Sequence, residues 1–237
     1  MPAFATAAAQ ISCTDCHFRT SSICRVLAGG DIAALEKKRK RQLSLRPKRM
    51  FVHEGEAPGE VYRLHSGWGA RFRVLANGDR QILAFDLPGD FLTPELLCGT
   101  PARFSKLALT AMTLCAFPVE PTSDEMFADP DKANFIERLL VRHIRDAEDR
   151  IMMLGRMTAA SRIAALLLEV HRRLCRRGLA AEDTFDFPLR HEDIGDALGL
   201  TAAHVSRTMA TLRSAGLVRV DTGRATVDRQ GLARLTH

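Results

Sequence analysis

The sequence predicts an α+β protein in which an antiparallel β-barrel is followed by a long helix and a small helical domain closed by short strands. Between residues 50 and 119, apolar alternations are broken by turn-forming residues about every 8–12 positions, which is typical of a sandwich or barrel. From residue 131 the apolar period changes from two to about 3.6, which predicts helices. These patterns predict four regions: a cysteine-bearing segment 1–30, a barrel 31–130, a long helix 131–157 and a C-terminal domain 158–237.

The composition indicates a globular protein of the cytoplasm. The 237 residues are 46% hydrophobic and 26% charged, which is enough apolar material for a core. No stretch reaches the roughly 20 apolar residues of a bilayer span, and the N-terminus lacks the basic segment of a secretory signal. Six cysteines are too few for a disulfide scaffold, so we expect reduced thiols and no membrane partner.

The charge favours a polyanionic partner and the motifs do not favour an enzyme. The formal net charge is +6. Eight lysines and arginines lie between Lys37 and Arg49 without an acidic residue, and we interpret this run as the solvated end of a helix and a loop. The chain has no phosphate loop, dinucleotide fingerprint, nucleophile elbow or HExxH helix, so we expect no catalytic activity.

The barrel strands are predicted at the apolar alternations, and their turns at the polar breaks. The segments are Phe51–Val52, Val61–Leu64, Ala70–Leu75 and Gln81–Phe85. Between the last two, Asn77-Gly78 predicts a two-residue hairpin turn, because both positions tolerate positive φ.

The long helix carries an apolar stripe with the spacing of a paired helix. The stripe has 4-3-4-3 spacing and consists of Leu140, Ile144, Ala147, Ile151 and Leu154. Charges of both signs occupy the other faces. This is the a/d seam of a coiled coil, so we predict a homodimer. The alternative is the core face of a buried helix.

The C-terminal domain contains the pattern of a helix-turn-helix. Thr158 is expected to cap its first helix. In the segment 190–207, Gly195 or Ala197 allows two helices to cross closely, Gly199 supplies the positive φ of the turn, and Thr201 caps the second helix. Apolar residues fill the angle between the helices: Ile194, Leu198, Val205 and Leu212. A hairpin over residues 217–227 follows as a wing, with Arg224 near the DNA backbone.

Residues at the start of the second helix reach base edges in the major groove of DNA. Arg207 is the first candidate, because a guanidinium can bond bidentately to guanine. Ser206 and His204 are candidates for a base or a phosphate, and Arg213 for a phosphate. Thr201 completes the predicted DNA-binding set. The alternative is an ordinary pair of surface helices joined by a glycine turn.

The order of barrel, long helix and winged helix-turn-helix resembles the Crp/Fnr superfamily of transcriptional regulators over nearly the whole chain. The matching stretches are Glu54–Glu56, Ser66-Gly67, Pro88–Phe91 and Asp193–Arg207. The resemblance implies a cyclic-nucleotide-binding-like jelly roll, a dimerisation helix, a homodimer on a palindromic double-stranded DNA operator, and contact with RNA polymerase. Many members carry glutamate where this chain has Ala203, so we expect the readout of one base to differ.

The barrel lacks the residues that this resemblance would require for a cyclic nucleotide. Pro94 stands where the family has a glycine before its glutamate. Phe104 separates Arg103 from Ser105, which the family places side by side to hold a phosphate. A buried phosphate without its charge partner is costly, so we expect no cyclic-nucleotide binding.

Three cysteines cluster ahead of the barrel. Cys13, Cys16 and Cys24 lie within 12 residues, and four thiolates are needed to hold a [4Fe-4S] cluster. The resemblance to the oxygen-sensing branch of the superfamily implies that these three are ligands and that a barrel cysteine is the fourth. A zinc site, a metal-free redox dithiol and cysteines without any ligand stay open as alternatives.

Cys115 is the first candidate for the fourth ligand, because the stretch that follows it resembles the corresponding family stretch. Cys98 is the second candidate. Cys175 is expected to be a small buried residue of the helical domain.

Overall fold

The computed structural model describes residues 11–19 and 22–236. They divide into two compact units, one formed by the residues up to Arg73 and by 84–142, the other by 74–83 and the residues from His143 onward. None of the helices in this described part combines the length and apolar character that a membrane crossing requires.

Up to residue 156, the described part of the chain forms four α-helices, one 3-10 helix and seven strands. The bounds are α1 (Ser22–Ala28), α2 (Ile32–Lys38), β1 (Arg41–Leu45), β2 (Met50–Val52), β3 (Glu60–Ser66), β4 (Gly69–Val74), β5 (Arg80–Asp86), a 3-10 helix (Pro94–Cys98), β6 (Ser105–Ala108), β7 (Met112–Pro118), α3 (Val119–Ala128) and α4 (Pro130–Arg156). The predicted α+β fold class is confirmed.

These strands form two antiparallel sheets, with strand orders β1-β7-β3 and β2-β6-β4-β5. In the three-stranded sheet, β7 is central. Cys115 of β7 lies opposite Gln42 of β1 on one side and opposite Arg63 of β3 on the other. Directly opposed residues of antiparallel strands share a face, so these three side chains lie on the same face of the sheet.

Both faces of the three-stranded sheet are buried. The inner face packs between the two sheets through residues such as Leu43, Leu64 and Leu114. The outer face packs against α1 in a second cluster: Cys13, Ile23, Cys24, Leu27, Val61, Cys115 and Phe117. Strand β3 is therefore buried over Glu60–Leu64 with almost no alternation. The described residues 11–19 and α1 therefore cover this outer face, and we call them the N-terminal cover.

Two predictions for this region were wrong. The basic run Lys37–Arg49 is not a loop after the helix end: it contains β1, where Leu43 and Leu45 alternate inward and are buried. At the hairpin between β4 and β5, only Gly78 has positive φ (88°). The amide of Leu75 donates to the Asp79 carbonyl (2.8 Å), so the turn is longer than two residues.

Helix α4 carries its predicted stripe on an exposed surface. The helix begins and ends one residue before the predicted bounds 131 and 157. Leu140, Ile144, Ala147 and Ile151 are exposed, and Leu154 is half-buried. Ile144 is 58% and Ile151 is 72% accessible, which is unusual for large aliphatic side chains in a lone chain.

From residue 159 onward the chain is a small helical bundle with a four-stranded sheet. Its elements are α5 (Ala159–Cys175), β8 (Ala180–Ala181), β9 (Thr184–Asp186), α6 (His191–Leu198), α7 (Ala202–Ser214), β10 (Val218–Asp221), β11 (Arg224–Val227) and α8 (Arg229–Arg234). The Thr158 hydroxyl caps α5 by accepting from Ser161 N (3.2 Å), as predicted. The sheet order is β10-β11-β9-β8.

Candidate thiol site and DNA-reading helix

Four cysteine side chains border one small cavity on the outer face of the three-stranded sheet. Cys13, Cys16, Cys24 and Cys115 all line it, and each is buried. Cys98 is exposed at the end of the 3-10 helix and is not among the lining residues. The structure thus brings together the four cysteines that the sequence placed first, and leaves the second-choice residue outside.

Local structure explains how these thiols reach the cavity. Cys13 and Cys16 lie in a turn before α1, where Cys16 N donates to Cys13 O (3.4 Å). Cys24 sits on α1 between Ile23 and Leu27, which are both buried and anchor the helix. The fourth thiol comes from the central strand β7.

Nitrogen donors face three of the four sulfur atoms. The guanidinium Nη1 of Arg63 lies 3.6 Å from Cys16 Sγ, and that of Arg39 lies 3.6 Å from Cys13 Sγ. The Gln42 carboxamide donates to Cys115 Sγ (3.8 Å). His65 Nδ1 lies 3.7 Å from Cys16 Sγ. Sequence reasoning missed all four donors, because their common position depends on strand register.

The environment changes the acidity of the thiols in opposite directions. Burial raises the pKa of Cys16, but the hydrogen bond with His65 and the charge of Arg63 outweigh it and lower that pKa to about 6. Burial raises the pKa of Cys24 to about 12 and also raises the pKa of Cys13. Cys16 is therefore the most acidic thiol of the three.

The donor set fits a thiolate-bound anionic centre. Sulfur is the ligand of iron–sulfur clusters and zinc, and N–H groups aimed at sulfur stabilise its thiolate form. Within the described residues, no three His, Cys, Asp or Glu side chains are grouped closely enough to hold a single metal ion. The thiols instead surround a shared space.

The remaining cysteine corrects a prediction. Cys175 is exposed rather than buried. It is the last residue of α5, where the helix face turns away from the core, and its Sγ lies 3.3 Å from His171 Nε2. The periodicity of α5 correctly placed its neighbour Leu174 in the core.

The barrel segment that contains Pro94 and Arg103–Ser105 makes several contacts within the chain. Pro94 opens the buried 3-10 helix. The guanidinium of Arg103 lies 5.5 Å from the ring centroid of Phe104. Ser105 Oγ accepts a hydrogen bond from Glu54 N (3.0 Å).

Helices α6 and α7 meet at the close crossing that the sequence predicted. A Cβ atom on Gly195 would lie 2.4 Å from the carbonyl oxygen of Leu200, so only glycine fits there. Gly199 ends α6 in the left-handed region with φ of 65°. The Thr201 hydroxyl caps α7 by accepting from His204 N (3.2 Å).

One side of α7 packs inward and the other is open. Val205, Met209 and Leu212 are buried. All five residues of the predicted DNA-binding set are exposed: Thr201, His204, Ser206, Arg207 and Arg213. Neither arginine of this set forms an ion pair with a described residue, so both are available to an anion. In the wing, Arg224 is 57% accessible and lies 3.8 Å from Asp186.

Comparisons with known proteins agree with this architecture. Residues 42–128 match the cyclic nucleotide-binding domain family, and residues 161–235 match the Crp-like helix-turn-helix domain family. The nitrogen fixation regulation protein FixK of Bradyrhizobium diazoefficiens is 33% identical over 208 residues, 88% of this chain and 86% of that protein. An anaerobic regulatory protein of Haemophilus influenzae is 26% identical over 95% of this chain and 88% of its own length.

A solved structure gives the same result. FixK2 from Bradyrhizobium japonicum superposes with a TM-score of 0.75 at 30% identity, over 83% of this chain and 97% of that one. The two relatives matched by sequence are named as regulatory proteins, which confirms the expectation that the chain is not an enzyme. The chain belongs to the Crp/Fnr family of transcriptional regulators, which bind DNA and act as dimers.

Proposed function

We propose that this regulator senses oxygen or redox state through a [4Fe-4S] cluster held by Cys13, Cys16, Cys24 and Cys115. The observation that carries the proposal is the convergence of these four buried thiols on one cavity. Nitrogen donors beside three of them favour the thiolate form that ligation requires. The name of the Haemophilus influenzae relative, an anaerobic regulatory protein, points the same way.

When bound, the cluster would supply reactivity toward oxygen. The chain supplies the link to the dimer helix, because three of the four thiols and the start of α4 belong to one hydrophobic cluster. Cys24 and Cys115 share that cluster with Met126 of α3 and Ile136 of α4, and Leu139 packs against it. A change in the position of α1 would therefore reach the start of α4 through this shared hydrophobic core. A coupling of about 1–3 kcal/mol changes DNA occupancy roughly 5- to 150-fold.

We propose that the output is read by α7 of each subunit at a palindromic operator. The exposed stripe of α4, which includes Ile144 and Ile151, pairs the two chains. Arg207 contacts a guanine, Ser206 and His204 contact a base or phosphate, and Arg213 contacts a phosphate. Activation additionally requires contact with RNA polymerase. We expect no cyclic nucleotide as effector.

Iron and acid-labile sulfide in anaerobically purified protein test the proposal. Wild type should be brown and hold four iron atoms per chain, as the cluster formula requires. Cys115→Ala should lose the cluster, because three thiolates remain. Cys98→Ala is the matched control and should keep it.

Other contents of the site give other results. If the purified protein contained zinc and no iron, the thiol site would be a structural zinc site and the cluster proposal would be wrong. A colourless, metal-free dimer that binds DNA equally in air and under nitrogen would refute the proposal.

A further inference from the structure

The side chain of Arg63 is a buried cation whose counter-charge is incomplete. It is 0% accessible on strand β3, opposite Cys115. Its Nη1 donates to Cys16 Sγ at 3.6 Å, but Nε and Nη2 have no hydrogen-bond partner. The guanidinium carbon lies 4.5 Å from the ring centroid of Phe18, which provides a π-face but no acceptor atom.

Four other buried or half-buried cations of this unit, Lys38, Arg39, Arg41 and Lys106, have a carboxylate. Lys106, which is also buried, lies 3.5 Å from Asp86. Arg39, the other arginine at the cavity, pairs with Glu36 at 3.1 Å, and Arg41 pairs with Glu60 at 2.8 Å. Within the described residues, Arg63 forms no such ion pair. Its acceptors must therefore come from the thiol cavity that it lines.

We propose that Arg63 is the positioning residue that neutralises the thiolate-bound cluster and donates hydrogen bonds to it through Nε and Nη2. This inference rests on the proposed function. Four thiolates around a cluster concentrate negative charge in a buried space, and a guanidinium is the side chain that supplies both charge and several fixed donors there. A lysine keeps the charge and loses the fork of donors, whereas a glutamine loses the charge.

The experiment compares Arg63→Gln, Arg63→Lys and the control Arg41→Gln. The control removes one positive charge from β1 at a residue that does not line the cavity. Each protein is stripped of iron, reconstituted anaerobically with ferrous iron and sulfide, and followed by visible absorbance. Loss of a group in the outer shell of a metal site typically weakens metal binding about 10- to 100-fold, and we expect this loss for Arg63→Gln. Arg63→Lys should bind iron more tightly than Arg63→Gln, and Arg41→Gln should equal wild type.

The midpoint potential of the loaded cluster is the second measurement. A nearby positive charge favours the reduced, more negative state, so Arg63→Gln should lower the potential while Arg63→Lys and Arg41→Gln stay near wild type. A merely structural role would not separate the lysine and glutamine variants in this way. If Arg63→Gln aggregates, Arg63→Met fills the same space without polar atoms and replaces it.

The outcomes distinguish this inference from the proposed function. Iron-loaded wild type with an unchanged Arg63→Gln variant overturns the role of Arg63 alone. Failure of both the glutamine and methionine variants to fold also overturns it, because the arginine would then support the fold itself. Wild type without iron or sulfide overturns both proposals.

Discussion

Among the residues that the structure describes, Arg63 at the thiol cavity and Arg207 on the DNA-reading helix both lack a carboxylate partner, but in opposite settings. Arg63 is fully buried beside sulfur, whereas Arg207 is exposed on α7. Water screens the exposed guanidinium, so its lack of a partner costs little until DNA arrives. The buried guanidinium has no such screening and requires its anion within the fold. An unpaired charge thus indicates a partner in both places, and burial decides whether that partner belongs to the protein.

Replacement of Arg207 should give the largest of the effects predicted here, a loss of DNA affinity. If DNA affinity did not fall, Arg207 would not be a cation that awaits DNA, and the comparison with Arg63 would fail. A bidentate contact to guanine is worth about 1–3 kcal/mol and the dimer makes two, so Arg207→Ala should weaken specific DNA binding roughly 30-fold to 20,000-fold. Gel-shift titration at fixed salt measures this loss. Arg172→Ala removes an exposed arginine from α5 and is the matched control. Equal losses for both would mean that Arg207 contributes charge without base readout.

Gly195→Ala should destabilise the DNA-binding domain and leave the thiol site unchanged. Its Cβ would lie 2.4 Å from Leu200 O, and overpacking of this kind costs about 1–3 kcal/mol. We expect Gly195→Ala to lower the unfolding midpoint and DNA affinity while iron content stays unchanged. Gly155→Ala on α4 meets no atom within 4 Å and should stabilise the helix by up to about 1 kcal/mol. Loss of iron in Gly195→Ala would show that the thiol site depends on this crossing.

The smallest predicted effect is on the pH dependence of stability in iron-free protein, and it arises from the low pKa of Cys16. The fold lowers its pKa from 9.0 to about 6, so thiolate formation stabilises the folded state. This stabilisation is complete above pH 9.0 and is lost as the pH falls through about 6. His65→Gln removes a hydrogen bond that lowers this pKa, so the unfolding midpoint should depend less on pH across that range. In a Cys16→Ala background, His65→Gln should cause no further change; if it does, the pH dependence belongs to another group.

Sequence reasoning was strongest where structure is local. The caps at Thr158 and Thr201 and the turn at Gly199 depend on residues within a few positions, and the structure contains each of them. The apolar stripe of α4 was equally readable, because a helix repeats its pattern over many residues.

The missed features depend on neighbours that are distant in the sequence. Strand β1 was missed because basic residues surround its short alternation of Leu43 and Leu45. Arg63 was an ordinary polar position of the predicted strand Val61–Leu64, and His65 lay in the polar break after that strand. Their role follows from the register of β3 against β7 and from the N-terminal cover of the outer face, and no short window of sequence contains both.

The cover on the outer sheet face also sets an order for biosynthesis. Cys13, Cys16 and Cys24 leave the ribosome early, but the surface on which they dock is complete only after β7 (Met112–Pro118) has been made. Chains grow from the N-terminus and domains fold as units, so the three early thiols wait in an unfinished protein until the fourth arrives. For the proposed cluster, iron would therefore have to be delivered after most of the barrel has been translated. A cell short of iron or sulfide would then accumulate finished chains whose N-terminal cover lacks the cluster that ties it to the sheet.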